Sequence, residues 1–198
     1  MGCGNKSQRE FSVLEFSLPI NFQLARIASP DVMVISVAKI PRIIGVISDT
    51  HGLLRPEAKA ALAGSDLIIH AGDVGKLEIL TELKTIAPLF VVRGNVDNGG
   101  WADQFPTTEI VEFSGSTIYI LHDLNELDLD PDAAGFHAVI TGHTHRAHEY
   151  RKGKTLYLNP GSAGPKRFDY PVTLARLYVE ETPWRFEIIQ LHVNHSLE

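Results

Sequence analysis

Three short apolar runs constrain the fold more than any other feature of the chain. Residues 43–48, 67–70 and 89–93 read Ile-Ile-Gly-Val-Ile-Ser, Leu-Ile-Ile-His and Leu-Phe-Val-Val-Arg. They show no polar alternation, as strands covered on both faces do. The intervals between them are helical in pattern. Pro56 opens an alanine-rich stretch over residues 56–63, at a first-turn position that tolerates proline. Residues 76–87 carry Leu77, Leu80, Leu83 and Ala87 as an apolar stripe. Strand, helix, strand, helix, strand implies a parallel sheet with right-handed crossovers.

After residue 100 the pattern changes to hairpins. Residues 109–113 and 117–121 flank Ser114-Gly115-Ser116. Residues 148–151 and 155–158 flank Lys152-Gly153-Lys154, and residues 174–179 and 185–191 flank a turn containing Pro183. A further strand is expected at residues 138–141. No linker rich in Pro, Gly or Ser separates the halves, so two sheets packed in one domain are expected over residues 42–198. Residues 1–41 read as an irregular N-terminal extension of unassigned role, with a start near Met33 or a native packed arm both open.

Composition narrows the function classes. The chain has 198 residues, 44% hydrophobic and 21% charged, which excludes a disordered or collagen-like chain. Lys and Arg number 18 against 24 Asp and Glu, a net charge of −6 that argues against nucleic acid as a partner. No apolar run approaches the roughly 18–20 residues of a membrane span, and the first residues lack a signal-peptide pattern. The single cysteine, Cys3, cannot form an internal disulfide, which fits a reducing cytoplasm.

Nine histidines are the notable count, because imidazole is the commonest transition-metal ligand. Several fall where strands end. The first strand runs into Asp49-Thr50-His51-Gly52, the second into His70-Ala71-Gly72-Asp73, and the third into Arg93-Gly94-Asn95. Later strands run into His122-Asp123 and Gly142-His143-Thr144-His145. Ligands of open α/β sheets bind outside the carboxyl ends of strands, so five such ends can converge. Extended backbone would put Asp49 with His51, and His143 with His145, on one face each. Gly52, Gly72, Gly94 and Gly142 sit beside these residues, where the chain must turn closely. Mixed nitrogen and oxygen donors without thiolate suit Mn, Fe, Zn, Ni or Co. Each residue alone would as readily cap a turn; the ordered set argues for metal.

This ordered set resembles the signature of the calcineurin-like metallophosphoesterases over residues 42–192. Ser48-Asp49-Thr50-His51-Gly52, His70-Ala71-Gly72-Asp73-Val74, Gly142-His143-Thr144-His145 and Asn159-Pro160-Gly161-Ser162 are similar to its small YfcE-like phosphodiesterase branch. The resemblance implies an α/β (α+β) fold of the metallophosphoesterase type, a four-layer α-β-β-α sandwich of two mixed sheets. It implies two divalent ions, with Mn2+ the first choice. One would take Asp49, His51, Asp73 and His145. The other would take Asp73, Asn95, His122 and His143, with Asp73 bridging. Asp49, Asp73, Asn95 and His122 form the catalytic set. The family often has His after the Asn of the third motif; here Val96 follows Asn95 and cannot donate a proton, so good leaving groups should be favoured. Asp123 stands where relatives often carry His-Gly-His.

Two divalent ions outweigh Asp49, Asp73 and a bridging hydroxide, so the centre stays positive and suits an anionic ester. Attack by that hydroxide on a small phosphodiester, with no covalent intermediate, is the expected reaction. The alternatives are a non-catalytic interaction scaffold like the retromer subunit of this fold, or a phosphomonoesterase or nuclease on the same centre. A homodimer through a hairpin edge or the N-terminal arm stays open. His70 reads as structural. Asp97 reads equally as an orienting residue or a turn residue, and residues 159–162 equally as site lining or a turn. Arg93, Lys166 and Arg167 are candidate phosphate contacts, with solvated charge the plainer reading for the last two. Trp101 and Phe105 read as packing, and His137, His148, His192 and His195 as surface or packing residues.

Overall fold

A computed structural model describes residues 42–167, 169–179 and 183–192. The expectations for residues 1–41, for His195 and for the final residues lie outside the described residues.

The first half alternates as its periodicity implies. Strands β1 (Ile43–Ile47), β2 (Leu67–His70) and β3 (Leu89–Val91) are separated by helices α1 (Pro56–Leu62) and α2 (Leu77–Lys84). β1 pairs parallel with β2, and β2 with β3. Pro56 occupies the first turn of α1, and Glu57 precedes Lys59 along it, each charge suiting its end of the helix dipole. In α2 the buried residues are Ile79, Leu80 and Leu83, whereas Leu77 is 41% exposed. The stripe expected from Leu77 is therefore displaced. At about 100° per residue, Leu77 lies roughly a third of a turn from the centre of the 79–80–83 face.

The second half supplies β4 (Thr108–Phe113), β5 (Ser116–Leu121), β6 (Ala138–Ile140), β7 (Ala147–Lys152), β8 (Thr155–Pro160), β9 (Thr173–Tyr178) and β10 (Arg185–Gln190). The last hairpin returns to the first sheet, where β9 pairs antiparallel with β1. The two five-stranded mixed sheets are thus β10-β9-β1-β2-β3 and β4-β5-β6-β8-β7. Within the second sheet β5, β6 and β8 run parallel.

Alternation along the strands divides the core into layers. Ile44 and Val46 of β1 face inward against Ile118 and Ile120 of β5, Ile140 of β6 and Leu158 of β8. Ile47, Ile68 and Leu174 face outward, under Ala58 and Leu62 of α1 and Leu80 and Leu83 of α2. Tyr119, Leu121, Val139 and Tyr157 form the far face of the second sheet, packed with Phe136, Leu124 and Leu127. The fourth layer is this segment, including the 3-10 turn Leu124–Glu126. Each fully buried Ile or Leu contributes about 1.5–3 kcal/mol of transfer free energy. The carboxyl ends of the two parallel sets meet at one edge of the sandwich, and the candidate ligands emerge there.

Candidate metal centre

Beyond β1 and β2 the chain leaves strand geometry but stays laced together. Asp49 N–H donates to Gly72 O at 3.0 Å, His51 N–H to Asp73 O at 2.9 Å and Gly52 N–H to Val74 O at 2.8 Å. Asp49, His51, Asp73, His143 and His145 all have positive φ, between 45° and 69°. Among the described non-glycine residues only Ser114 shares that conformation. The expected extended backbone for Asp49-x-His51 and His143-x-His145 is therefore replaced by left-handed turns. Each costs of order 1–3 kcal/mol and persists because neighbouring contacts hold it, a pattern that gathers at functional sites.

The turns bring together donors from distant loops. His51 and His145 place their Nε2 atoms 3.1 Å apart. His145 Nε2 is 3.2 Å from Asp49 Oδ1, and His51 Nε2 is 3.8 Å from both Asp49 Oδ1 and Asp73 Oδ2. One donor atom from each of Asp49, His51, Asp73 and His145 lies within 4.8 Å of the other three. Asp49 Oδ1 is buried without a hydrogen-bond partner. An unsatisfied buried carboxylate oxygen among two imidazoles and a second carboxylate fits a divalent cation, since such an atom is costly to leave unpaired.

The remaining candidates adjoin this cluster. His122 Nε2 is 3.4 Å from Asp73 Oδ2 but makes no directed hydrogen bond, the second orphaned donor of the site. Its Nδ1–H donates to Ala71 O at 2.7 Å, which fixes the tautomer and leaves Nε2 for the centre. His143 turns Nδ1 toward Asn95 Oδ1 at 3.1 Å and Nε2 toward Asp123 Oδ2 at 3.6 Å. Its side chain is 41% exposed, so this side of the centre is the open one.

Residues without donors to the centre hold it in place. Thr50, between Asp49 and His51, donates its hydroxyl hydrogen to Val74 O at 3.0 Å, and so accepts from His70 Nε2–H at 2.9 Å. Ser162 Oγ donates to Asp49 O at 2.9 Å. Asn159 Nδ2 donates to Gly142 O and to Thr144 Oγ1, bracing the turn that carries His143. A Cβ on Gly142 would meet Ser48 Oγ and Asp49 Oδ2, which explains the glycine. The sequence signal for Thr50 and Asn159 was their place within the motifs; their partners are long-range and were not readable.

Electrostatics follow from burial and proximity. Burial opposes charging of His122, but Asp73 and the Ala71 carbonyl raise its pKa to about 9. Burial likewise opposes ionisation of Asp73, yet His122 and the Val96 N–H hold its carboxyl below the ordinary value. His51 is pushed below its ordinary value by burial first and by the Arg167 charge second, against the pull of Asp73 and Asp49. His70 is fully buried and depressed to about 4.

The other candidates lie outside the donor cluster, some of them beside it. Arg93 pairs with Asp103 at 3.4 Å on the surface. Lys166 and Arg167 line a crevice with His145, Ser162 and Tyr170. Trp101 and Phe105 pack on the helical layer. His137 stacks on Trp184, and His148 lies on exposed β7 beside Tyr150. A cavity of about 560 Å³ between Phe136, His137, Arg151, Lys154 and Trp184 lies at the amino ends of β6 and β8, away from the centre.

Residues 43–182 match the calcineurin-like phosphoesterase superfamily domain, and the chain belongs to that family. A probable metallophosphoesterase of Methanothermobacter thermautotrophicus is 35% identical over 141 residues, covering 65% of this chain and 81% of that one. An archaeal phosphodiesterase structure superposes with a TM-score of 0.63 at 23% identity, covering 74% of this chain and 99% of its own. Vps29 of Chaetomium thermophilum superposes with a TM-score of 0.65 at 20% identity, over 78% and 89%.

Proposed function

We propose that the protein is a metal-dependent phosphodiesterase acting on small phosphodiesters. One ion would be held by Asp49, His51, Asp73 and His145, and a second by Asp73, Asn95, His122 and His143. The observation that carries this reading is the four-residue donor cluster with its unsatisfied Asp49 oxygen. Divalent ions supply, when bound, an acidified water and a clamp on the phosphoryl oxygens.

The chain's own part is placement and charge. Asp49 and Asp73 bring two negative charges to the donor set, and Asn95 and the imidazoles bring none. Two ions with their direct donors would therefore stay positive, with Asp97 and Asp123 the nearest offsetting carboxylates. That local sign lets a chain of net charge −6 take an anionic ester. Ala71 O holds the His122 ring so that Nε2 faces Asp73. Asp123 lies against His143 Nε2 and favours presentation of Nδ1 beside Asn95. Val96 contributes only its N–H, which donates to Asp73 Oδ1 at 3.0 Å. With no proton donor at that position, esters of acidic alcohols are the better substrates. The likeness to an archaeal phosphodiesterase supports the diester over the monoester.

The test is hydrolysis of bis(p-nitrophenyl) phosphate and p-nitrophenyl phosphate with Mn2+, before and after chelation. Metal-dependent turnover with the diester ahead is the expected result. No turnover with Mn, Fe, Zn, Ni or Co overturns the reading. Absence of bound metal, together with unimpaired partner binding by Asp73→Asn, would favour the scaffold role instead.

A further inference from the structure

Asp97 has no part in the donor set, yet beside that set its carboxylate accepts three backbone hydrogen bonds. The residue is 5% exposed. Oδ2 accepts from Val74 N–H at 3.1 Å and from Gly94 N–H at 2.8 Å; Oδ1 accepts from Gly75 N–H at 2.8 Å. Hydrogen bonds to an ionised acceptor are among the strong ones. Two of the donors follow Asp73 directly and the third precedes Asn95 directly. One buried carboxylate therefore ties the loop after β2 to the loop after β3.

The consequence reaches the donors through the backbone. Asp97 N–H closes back on Gly94 O at 3.2 Å, making a tight turn of residues 94–97. Asn95 and Val96 lie inside that turn. Val96 N–H holds Asp73 Oδ1, which leaves Asp73 Oδ2 facing His122 and His51. The approach is so close that a Cβ on Gly94 would collide with the Asp73 carboxylate and backbone nitrogen. Asp49 is held by other means: its O accepts from Ser162, and its Oδ2 accepts from His143 N–H at 3.2 Å.

We propose that Asp97 is the positioning residue of the second ion, setting Asn95 against Asp73 and so deciding how tightly that ion is held. The proposal rests on the two-ion reading above. It predicts an unequal effect, because Asn95 serves the second position alone whereas Asp73 has further partners at the first.

Calorimetric titration of metal-free protein with Mn2+, checked by elemental analysis after dialysis, reads both positions separately. Asp97→Asn keeps the shape but cannot accept on both sides, since its amide nitrogen meets N–H groups. Wild type should bind two ions, and in the variant the second should weaken by about 10–100-fold, the usual cost of losing an outer partner of a metal ligand. The first should weaken far less. Melting of the metal-free variant shows whether it folds; should it not, Asp97→Glu carries the same comparison. Equal weakening of both ions, or no weakening, overturns the proposal while leaving two-ion binding intact. Wild type that binds fewer than two ions overturns the two-ion reading itself, and the proposal with it.

Discussion

His51 and His145 stand 94 residues apart in sequence and face each other with Nε2 atoms 3.1 Å apart. Both sit in left-handed backbone, and both approach the same unsatisfied oxygen of Asp49. Two imidazole nitrogens directed at one point gain little from each other and much from a shared cation. Binding to the native state alone stabilises by about 3 kcal/mol at a hundredfold excess over the dissociation constant. For a chain of this size that raises the melting temperature by about 6–12 °C. Thermal melts with Mn2+ and after chelation should show the rise. His145→Ala should abolish most of it.

His122 gives the metal-free protein a pH signature. Its folded pKa of about 9 lies above the unfolded value of 6.5. The stability it contributes is therefore present below about 6.5 and lost as pH rises through about 9. Ion binding needs the Nε2 lone pair, so loading between those limits must expel the proton. Calorimetry near pH 7.5 in buffers of different ionisation heat should read release of about one proton per chain on loading. The same titration of His122→Asn should read correspondingly less.

The donor positions were legible because parallel strands put their carboxyl ends on one edge, so a residue following each strand has a predictable address. Asp49, His51, Asp73 and His145, which the structure gathers into one cluster, were addressed by that rule and the family resemblance, as was the neighbouring candidate His122. What escaped depends on contacts across sequence. The left-handed turns at Asp49 and His143 are imposed by lacing to the loop after β2 and by Asn159, not by local preference. Asp97 reads equally as an orienting or a turn residue, because two of its three partners lie 23 and 22 residues away. The displaced face of α2 has a similar cause. Leu77 begins the helix, and the sheet beneath selects Ile79 over it.

His70 makes an opposite prediction from burial. It is neutral in the fold, donating Nε2–H to Thr50, with Nδ1 buried and unpartnered. Its folded pKa of about 4 lies below the unfolded 6.5. The stability it contributes is thus present above 6.5 and is lost as pH falls toward 4. The loss cannot exceed one proton, about a tenfold change in the folding constant per pH unit. Denaturant midpoints at pH 7 and pH 5 should fall more for wild type than for His70→Gln, which stays uncharged and can still donate to Thr50. Equal falls would remove His70 as the cause.

Val96 sets the last expectation, because it stands in the turn beside Asn95 and is 41% exposed. Its backbone N–H is committed to Asp73 Oδ1, and that bond does not depend on the side chain. A larger side chain can therefore point outward without disturbing the carboxylate. General acids contribute about 10²–10⁴-fold when they protonate a poor leaving group, and little when the leaving group is already acidic. Val96→His should accordingly raise kcat/KM for phenyl or alkyl diesters well above any change for p-nitrophenyl diesters. The measurement is the ratio of the two constants in wild type and variant under one Mn2+ concentration. A uniform change across leaving groups would mean that position 96 does not face the departing oxygen.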